Sequence, residues 1–295
     1  MNLAVKALLL IVFGAFHSVD ARHVDGQLPV TAVSLDAEGV VEPKHPSQRE
    51  QIIFTSQLSE IEVSAAAQGI TYKDMSMIIL RQTGELPAQD INAYSALIEK
   101  FSEVYVDSEL ISIPSHWQPP SGTQSLMLRD VSNTDISLNL KCCSLRSLYI
   151  WSKGVNNIDV SGDLGSLRAM HLSGDLVGID ADWSSAKKLR SIVIGHAHRL
   201  ENLPEDLLAG GSVRQFIILN TPVKKFPDLT HAVESLESMT IENAKISFFP
   251  ENLTKINFRG RASFTIPEDV DVKVHPSICD GSFKWKSIRF VNACK

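Results

Sequence analysis

Leu145-Arg146-Ser147-Leu148-Tyr149-Ile150 is followed by Leu167-Arg168-Ala169-Met170-His171-Leu172 and then by Leu189-Arg190-Ser191-Ile192-Val193-Ile194. Each stretch is apolar at its first, fourth and sixth positions, and the three start 22 residues apart. Working outward, Val213/Phe216/Ile218, Leu236/Met239/Ile241 and Leu253/Ile256/Phe258 repeat the phrase toward the C-terminus. Phe101/Val104/Val106 and Thr123/Leu126/Leu128 precede it. The starts at 101, 123, 145, 167, 189, 213, 236 and 253 are separated by 22, 22, 22, 22, 24, 23 and 17 residues. A second apolar column runs in phase, 12 to 14 residues after each start: Ile113, Ile136, Ile158, Ile179, Leu203, Phe226, Phe249 and Ile266. A proline follows five of these, at Pro114, Pro204, Pro227, Pro250 and Pro267. One such unit cannot bury its apolar side alone, so two columns in phase predict stacked turns of a solenoid.

The period and the phrase resemble the leucine-rich repeat over residues 101–274. That resemblance implies an α/β solenoid, a horseshoe whose parallel strands line the concave face and whose looser return legs carry the Ile-Pro or Leu-Pro element. The family's turn asparagine is missing. Three residues after the third apolar position stand Val131, Lys153, Asp175, Ala197, Thr221, Ala244 and Arg261, so other groups must satisfy these turns. Pro250-x-x-Leu253-x-x-Ile256-x-Phe258 resembles the compact bacterial-effector-like form of the repeat, and Pro267 with Val270, Val272 and Val274 reads as a shorter last turn.

Residues 1–21 read as a secretory signal peptide, with Lys6 as the charged start, a short apolar core and Val19-Asp20-Ala21 at the cut. The apolar core is too short to span a bilayer. Residues 22–46 are polar without a sustained period and read as a flexible leader. Residues 47–100 carry helical spacing in three segments: Phe54, Leu58, Ile61 and Ala65; then Met75, Ile78 and Ile79; then Ile91, Tyr94, Leu97, Ile98 and Phe101. A solenoid's first turn leaves an apolar edge open, so these helices are expected to form an N-terminal helical cap. Residues 275–295 are expected to cap the other end. There Cys279 and Cys294 bracket a 14-residue loop holding Phe283, Trp285, Ile288 and Phe290. A disulfide across that loop is worth about 3 kcal/mol in the chain-entropy model. Cys142 and Cys143 are adjacent and are not expected to pair with each other. Asn252-Leu253-Thr254 is the glycosylation sequon, and secretion makes Asn252 a candidate acceptor.

The phrase also assigns the outward rows. Its second position reads Ser102, Gln124, Arg146, Arg168, Arg190, Arg214, Glu237 and Thr254. Its fifth reads Tyr105, Met127, Tyr149, His171, Val193, Ile217, Thr240 and Asn257. The seventh reads Asp107, Arg129, Trp151, Ser173, Gly195, Leu219, Glu242 and Arg259. Arg146, Arg168, Arg190 and Arg214 therefore form a ladder beside Tyr149, Trp151 and His171, and Arg with Tyr and Trp is the composition of binding hot spots. Leu-Arg is also a common pair in such repeats, and a solvated arginine costs little. The net charge of -6 on 295 residues argues against a general nucleic-acid binder. GxSxG, HExxH and phosphate-loop patterns are missing from the chain, no cofactor is implied, and His171, His196 and His198 lack a partner in phase to complete a metal set. The expectation is an exported, non-catalytic protein that binds a protein or peptide, with acidic groups, on its concave face. The alternative is a secreted effector or enzyme inhibitor acting through the N-terminal helical region.

Overall fold

Alternation inside each phrase is the period of a strand, and strands form at every central copy. The computed structural model describes residues 32–35, 41–44, 52–53, 77–80, 89–99, 101–141, 144–259, 262–265, 270 and 273–274. The chain is a parallel β-solenoid with coils about 22 residues apart. Ten parallel strands make its long sheet in sequence order: β1 (Ile52–Ile53), β2 (Met77–Leu80), β3 (Glu103–Asp107), β4 (Ser125–Arg129), β5 (Ser147–Ser152), β6 (Ala169–Gly174), β7 (Ser191–Ala197), β8 (Gln215–Leu219), β9 (Ser238–Glu242) and β10 (Ala262–Thr265).

Fourth-position residues stand side by side: Val104, Leu126, Leu148, Met170, Ile192, Phe216 and Met239 pair in that order across the sheet. None of the seven is more than 2% exposed. Each contributes about 2 kcal/mol of burial, and together they form one continuous ladder rather than separate clusters. The second column lies on the opposite wall. Asp135–Asn139, Asn157–Ser161 and Gly178–Ala181 form a three-stranded parallel sheet in which Ile136, Ile158 and Ile179 are aligned.

Three expectations change. The solenoid is mostly β rather than α/β. Its return legs hold strands and single turns of 3-10 helix at Trp183–Ser185 and Thr230–Ala232, because Ile136-x-Leu138 and Ile158-x-Val160 alternate with period two.

The helical cap does not hold where the chain is described. Met77–Leu80 is a strand, with Ile78 opposite Val104 and Leu80 opposite Val106. Four consecutive apolar residues fit a buried strand as well as a helix, and here the open sheet edge decides in favour of the strand. The third expected helix is broken into Ile91–Tyr94 and Ser95–Ile98, opened by Asp90, whose carboxylate accepts from the Asn92 N–H at 2.7 Å. Ile91, Tyr94, Ile98 and Phe101 do point inward as expected. Phe54, Leu58, Ile61 and Ala65 lie outside the described residues.

The copy at Leu253/Ile256/Phe258 is not a strand. Asn252–Lys255 is a helical turn, and the strand beside β9 is β10, with Met239 opposite Ala262 and Ile241 opposite Phe264. Val274 stands beside Phe249 on the return wall, and Ile266 lies outside the described residues. Thr254, Asn257 and Arg259 therefore leave their assigned rows.

The missing asparagine is replaced by a left-handed residue one place earlier. Asp130 (φ 47), Gly174 (φ 117), His196 (φ 57), Asn220 (φ 49) and Asn243 (φ 55) each stand two residues after a sixth-position residue. Asn and Asp tolerate this conformation best among residues with a Cβ. Gly174 is required for a second reason: a Cβ there would lie 1.9 Å from the Ser152 carbonyl oxygen. The next position then turns inward, and Val131, Ala197, Thr221 and Ala244 are at most 4% exposed. Thr221 Oγ1 donates to the Leu219 carbonyl at 2.9 Å and accepts from the Ala197 N–H at 3.3 Å, taking over part of the asparagine's work.

Among the described residues no helix is long and apolar enough to cross a membrane. Within the expected leader, Ala32–Leu35 pairs antiparallel with Val41–Lys44. Residues 1–21 and the cysteines, Cys279 and Cys294 included, lie outside the described residues.

Candidate functional site

The outward face of the long sheet has a leading rim and a floor. The rim is the second-position row. Its backbone is laced by N–H to carbonyl bonds: Arg146 to Gln124 and Arg168 to Arg146 at 2.7 Å, Arg190 to Arg168, Arg214 to Arg190 and Glu237 to Arg214 at 2.8 Å. The following residue donates to the same carbonyl, as Ala169 does to Arg146 (3.0 Å) and Ser191 to Arg168 (3.1 Å). The predicted arginine ladder is therefore present, and all four side chains are exposed. Only Arg214 meets a carboxylate, Glu237 Oε1 at 3.6 Å; among the described residues Arg146, Arg168 and Arg190 have no ion-pair partner.

The floor is the fifth- and seventh-position rows. Register places Tyr149 between Met127 and His171, and Trp151 between Arg129 and Ser173. The His171 ring meets Tyr149 edge-on, with centroids 6.1 Å apart. Crowding on this floor removes water from the imidazole. Burial, followed by the neighbouring His196, lowers the His171 pKa to about 4, so it is neutral at physiological pH. Burial also raises the Tyr149 pKa. His196 is lowered by burial and then by His198, whose ring lies edge-on at 6.1 Å. Further along, Val193 is buried while Ile217 and Leu219 are half-exposed, which leaves an apolar strip on the floor.

Sequence reasoning missed the role of Arg129. Its guanidinium lies 4.7 Å from the centroid of the Trp151 ring, a cation–π distance. Its Nη1 donates to the Tyr105 hydroxyl at 3.4 Å, and its Nε stands 3.7 Å from Asp107 Oδ1 and 3.6 Å from Asp130 Oδ2. Arg129 thus braces Trp151 from the coil before it. The signal was present in the seventh-position row, where Arg129 is the residue immediately before Trp151.

One grouping on the return wall invites a catalytic reading. Ser137 Oγ lies 3.0 Å from His116 Nδ1 and donates to Asp159 Oδ2 at 3.1 Å. A nucleophile needs the imidazole between the other two, as the acceptor of the hydroxyl proton. Here the hydroxyl stands in the middle and gives its proton to the carboxylate, so the imidazole must donate. The group ties three coils together. Among the described residues no three His, Cys, Asp or Glu side chains converge to hold a metal ion. Asn252 sits in the helical turn with Nδ2 donating to Thr230 Oγ1 at 3.3 Å, and the middle residue of its sequon, Leu253, is fully buried.

No protein-family model matches the chain, and no curated protein matches its sequence. The geometry of the rim and floor is therefore what speaks to function.

Proposed function

We propose that this chain is an exported, non-catalytic recognition protein of the leucine-rich-repeat kind, which binds a protein or peptide on the outward face of its long sheet. Arg146, Arg168, Arg190 and Arg214 hold acidic groups of the partner, and Tyr149, Trp151 and His171 receive its apolar ones. The observation that carries the reading is the pairing of two unlike rows on one hydrogen-bonded sheet. Arg146 and Trp151 stand five positions apart, roughly 16 Å at about 3.3 Å per residue. An extended peptide of about five residues spans that distance and touches both rows at once. Neutral His171 suits an apolar contact better than an ionic one, and Trp151, braced by Arg129, presents a fixed aromatic surface of the kind that anchors interfaces.

The test is capture from extracellular material by the purified mature chain, compared with Trp151→Ala and with Arg168→Glu/Arg190→Glu. Trp151→Ala should cost about 2 kcal/mol or more of binding. The arginine pair should slow association most at low salt. A partner held equally by all three proteins would place its contact on the return wall instead.

A further inference from the structure

The leading rim carries more positive charge than the arginine row alone supplies. Lys187 and Lys188 lie on the segment that leads into Leu189, and with Arg168, Arg190 and Arg214 they line an open groove of about 550 Å³. Five cations face two carboxylates, Glu234 and Glu237, on a chain whose net charge is -6. Ser212 and Ser235 complete the lining, but their hydroxyls donate to the carbonyls of Leu189 and Val213 at 2.9 Å each, so they hold the wall and leave ligand contact to the cations. Among the described residues Arg168, Lys187, Lys188 and Arg190 have no ion-pair partner, and all four are exposed.

We infer that this groove binds a linear sulfated polysaccharide, laid along the solenoid axis across the coils of β6 to β8. Three features select that class. Arg168, Arg190 and Arg214 repeat along the axis at the strand spacing, about 4.8 Å, with Lys187 and Lys188 beside the middle one, which suits a chain carrying repeated anions. Arginine's planar fork takes two oxygens of a tetrahedral oxyanion at once, and lysine adds unspecific attraction. Finally, the lining has neither an apolar nor an aromatic side chain. A bound peptide needs an apolar anchor and single-stranded nucleic acid needs stacking platforms. A sulfated sugar chain needs neither. Glu234 and Glu237 repel anions at one end and so limit the length of chain engaged. The inference rests on reading the arginine row as a binding surface, yet it requires no protein partner and no part of Tyr149 or Trp151.

The experiment titrates the full chain with a heparin-derived octasaccharide at several salt concentrations, beside polyglutamate and polyphosphate of similar charge. Saturable binding of the octasaccharide is expected, tighter than either control. Lys187→Gln/Lys188→Gln should weaken it at least tenfold and reduce the slope of log K against log salt by about one to two, since fewer counterions are released. Arg168→Gln provides the same readout if the lysine pair folds poorly, and circular dichroism verifies the fold. Trp151→Ala should bind the octasaccharide as the wild type does. No saturable binding, equal binding by the lysine variant, or polyglutamate or polyphosphate binding as tightly would overturn the proposal. Loss of protein capture with octasaccharide binding intact, or the reverse, shows which of the two readings has failed.

Discussion

The return wall is built in two ways. In the coils of Ile136, Ile158 and Ile179 it is a hydrogen-bonded sheet, with each isoleucine opposite the next. In the coils of Leu203 and Phe226, prolines follow at once, and a proline has no N–H to give a ladder. There the wall keeps single bonds such as Lys224 N–H to the Glu201 carbonyl at 3.0 Å and Asp228 N–H to the Glu205 carbonyl at 2.8 Å. Where short strands occur beside a proline they stop in front of it, as Phe248–Phe249 does before Pro250. The interior compensates. Phe226 meets Phe249 edge-on at 5.2 Å, and Phe249 meets Phe264 at 5.6 Å. The coil period survives loss of the back ladder because larger side chains fill the space between the walls. The front sheet continues through both halves, with a single register shift between Leu172 and Gly174 among these coils.

The sharpest way to break this comparison is to remove the aromatic stack. Phe249 is fully buried, and Phe249→Ala should cost about 4 kcal/mol, against about 2–3 for Ile158→Ala in the strand-backed half. Chemical denaturation of both variants measures the gap, and equal losses would mean that the stack carries no special share.

The next effect lies near the boundary between the halves. Register shifts between Leu172 and Gly174, and Gly174 faces Ala197. Gly174→Ala should destabilise by about 3 kcal/mol, from the backbone contact and the left-handed φ together. Asn220→Ala, at a left-handed turn of the proline half, should cost about 1 kcal/mol, from the left-handed conformation and from the Asn243 Nδ2 donation to Asn220 Oδ1 at 2.7 Å that it removes. A Gly174→Ala variant with wild-type stability would show that this coil relaxes freely.

The remaining effect depends on pH. His171 is neutral in the folded chain down to about pH 4, whereas an unfolded histidine takes its proton near 6.5. Between those values the unfolded state binds more protons, so stability falls as pH drops from about 6.5 toward 4, by roughly 2 kcal/mol. His171→Gln should flatten that part of the stability profile. An unchanged profile would place the titration elsewhere.

Much of the fold was legible because it is written twice per coil. The steps of 22 residues fixed the strand register from Val104 to Met170, and the fifth- and seventh-position rows followed from alternation, whereas the arginine row shares the parity of the inward residues and is exposed because it precedes the strand, which begins at Ser147. Legibility ended where one spacing fits two structures. Leu253 and Ile256, three apart, are both buried, and that spacing is shared by the strand phrase and one face of a helix. Met77–Leu80 was misread for the reverse reason, since a run of four apolar residues has no period. In the candidate site, the arginine ladder, Tyr149, Trp151 and His171 were readable as rows. The bracing of Trp151 by Arg129 was not, because the pattern gives a row its members but not the contacts their side chains choose.

The doubly used carbonyls of the rim have a consequence of their own. Each arginine carbonyl in the ladder accepts from two N–H groups of the next coil, so neither lone pair is left to let the backbone drift. The rim is therefore a ruler. Its graduations are set by main-chain bonding and not by the side chains mounted on them. Exchanging an arginine for lysine or glutamine erases one mark without moving its neighbours, and duplicating a coil would lengthen the scale by one division at unchanged pitch.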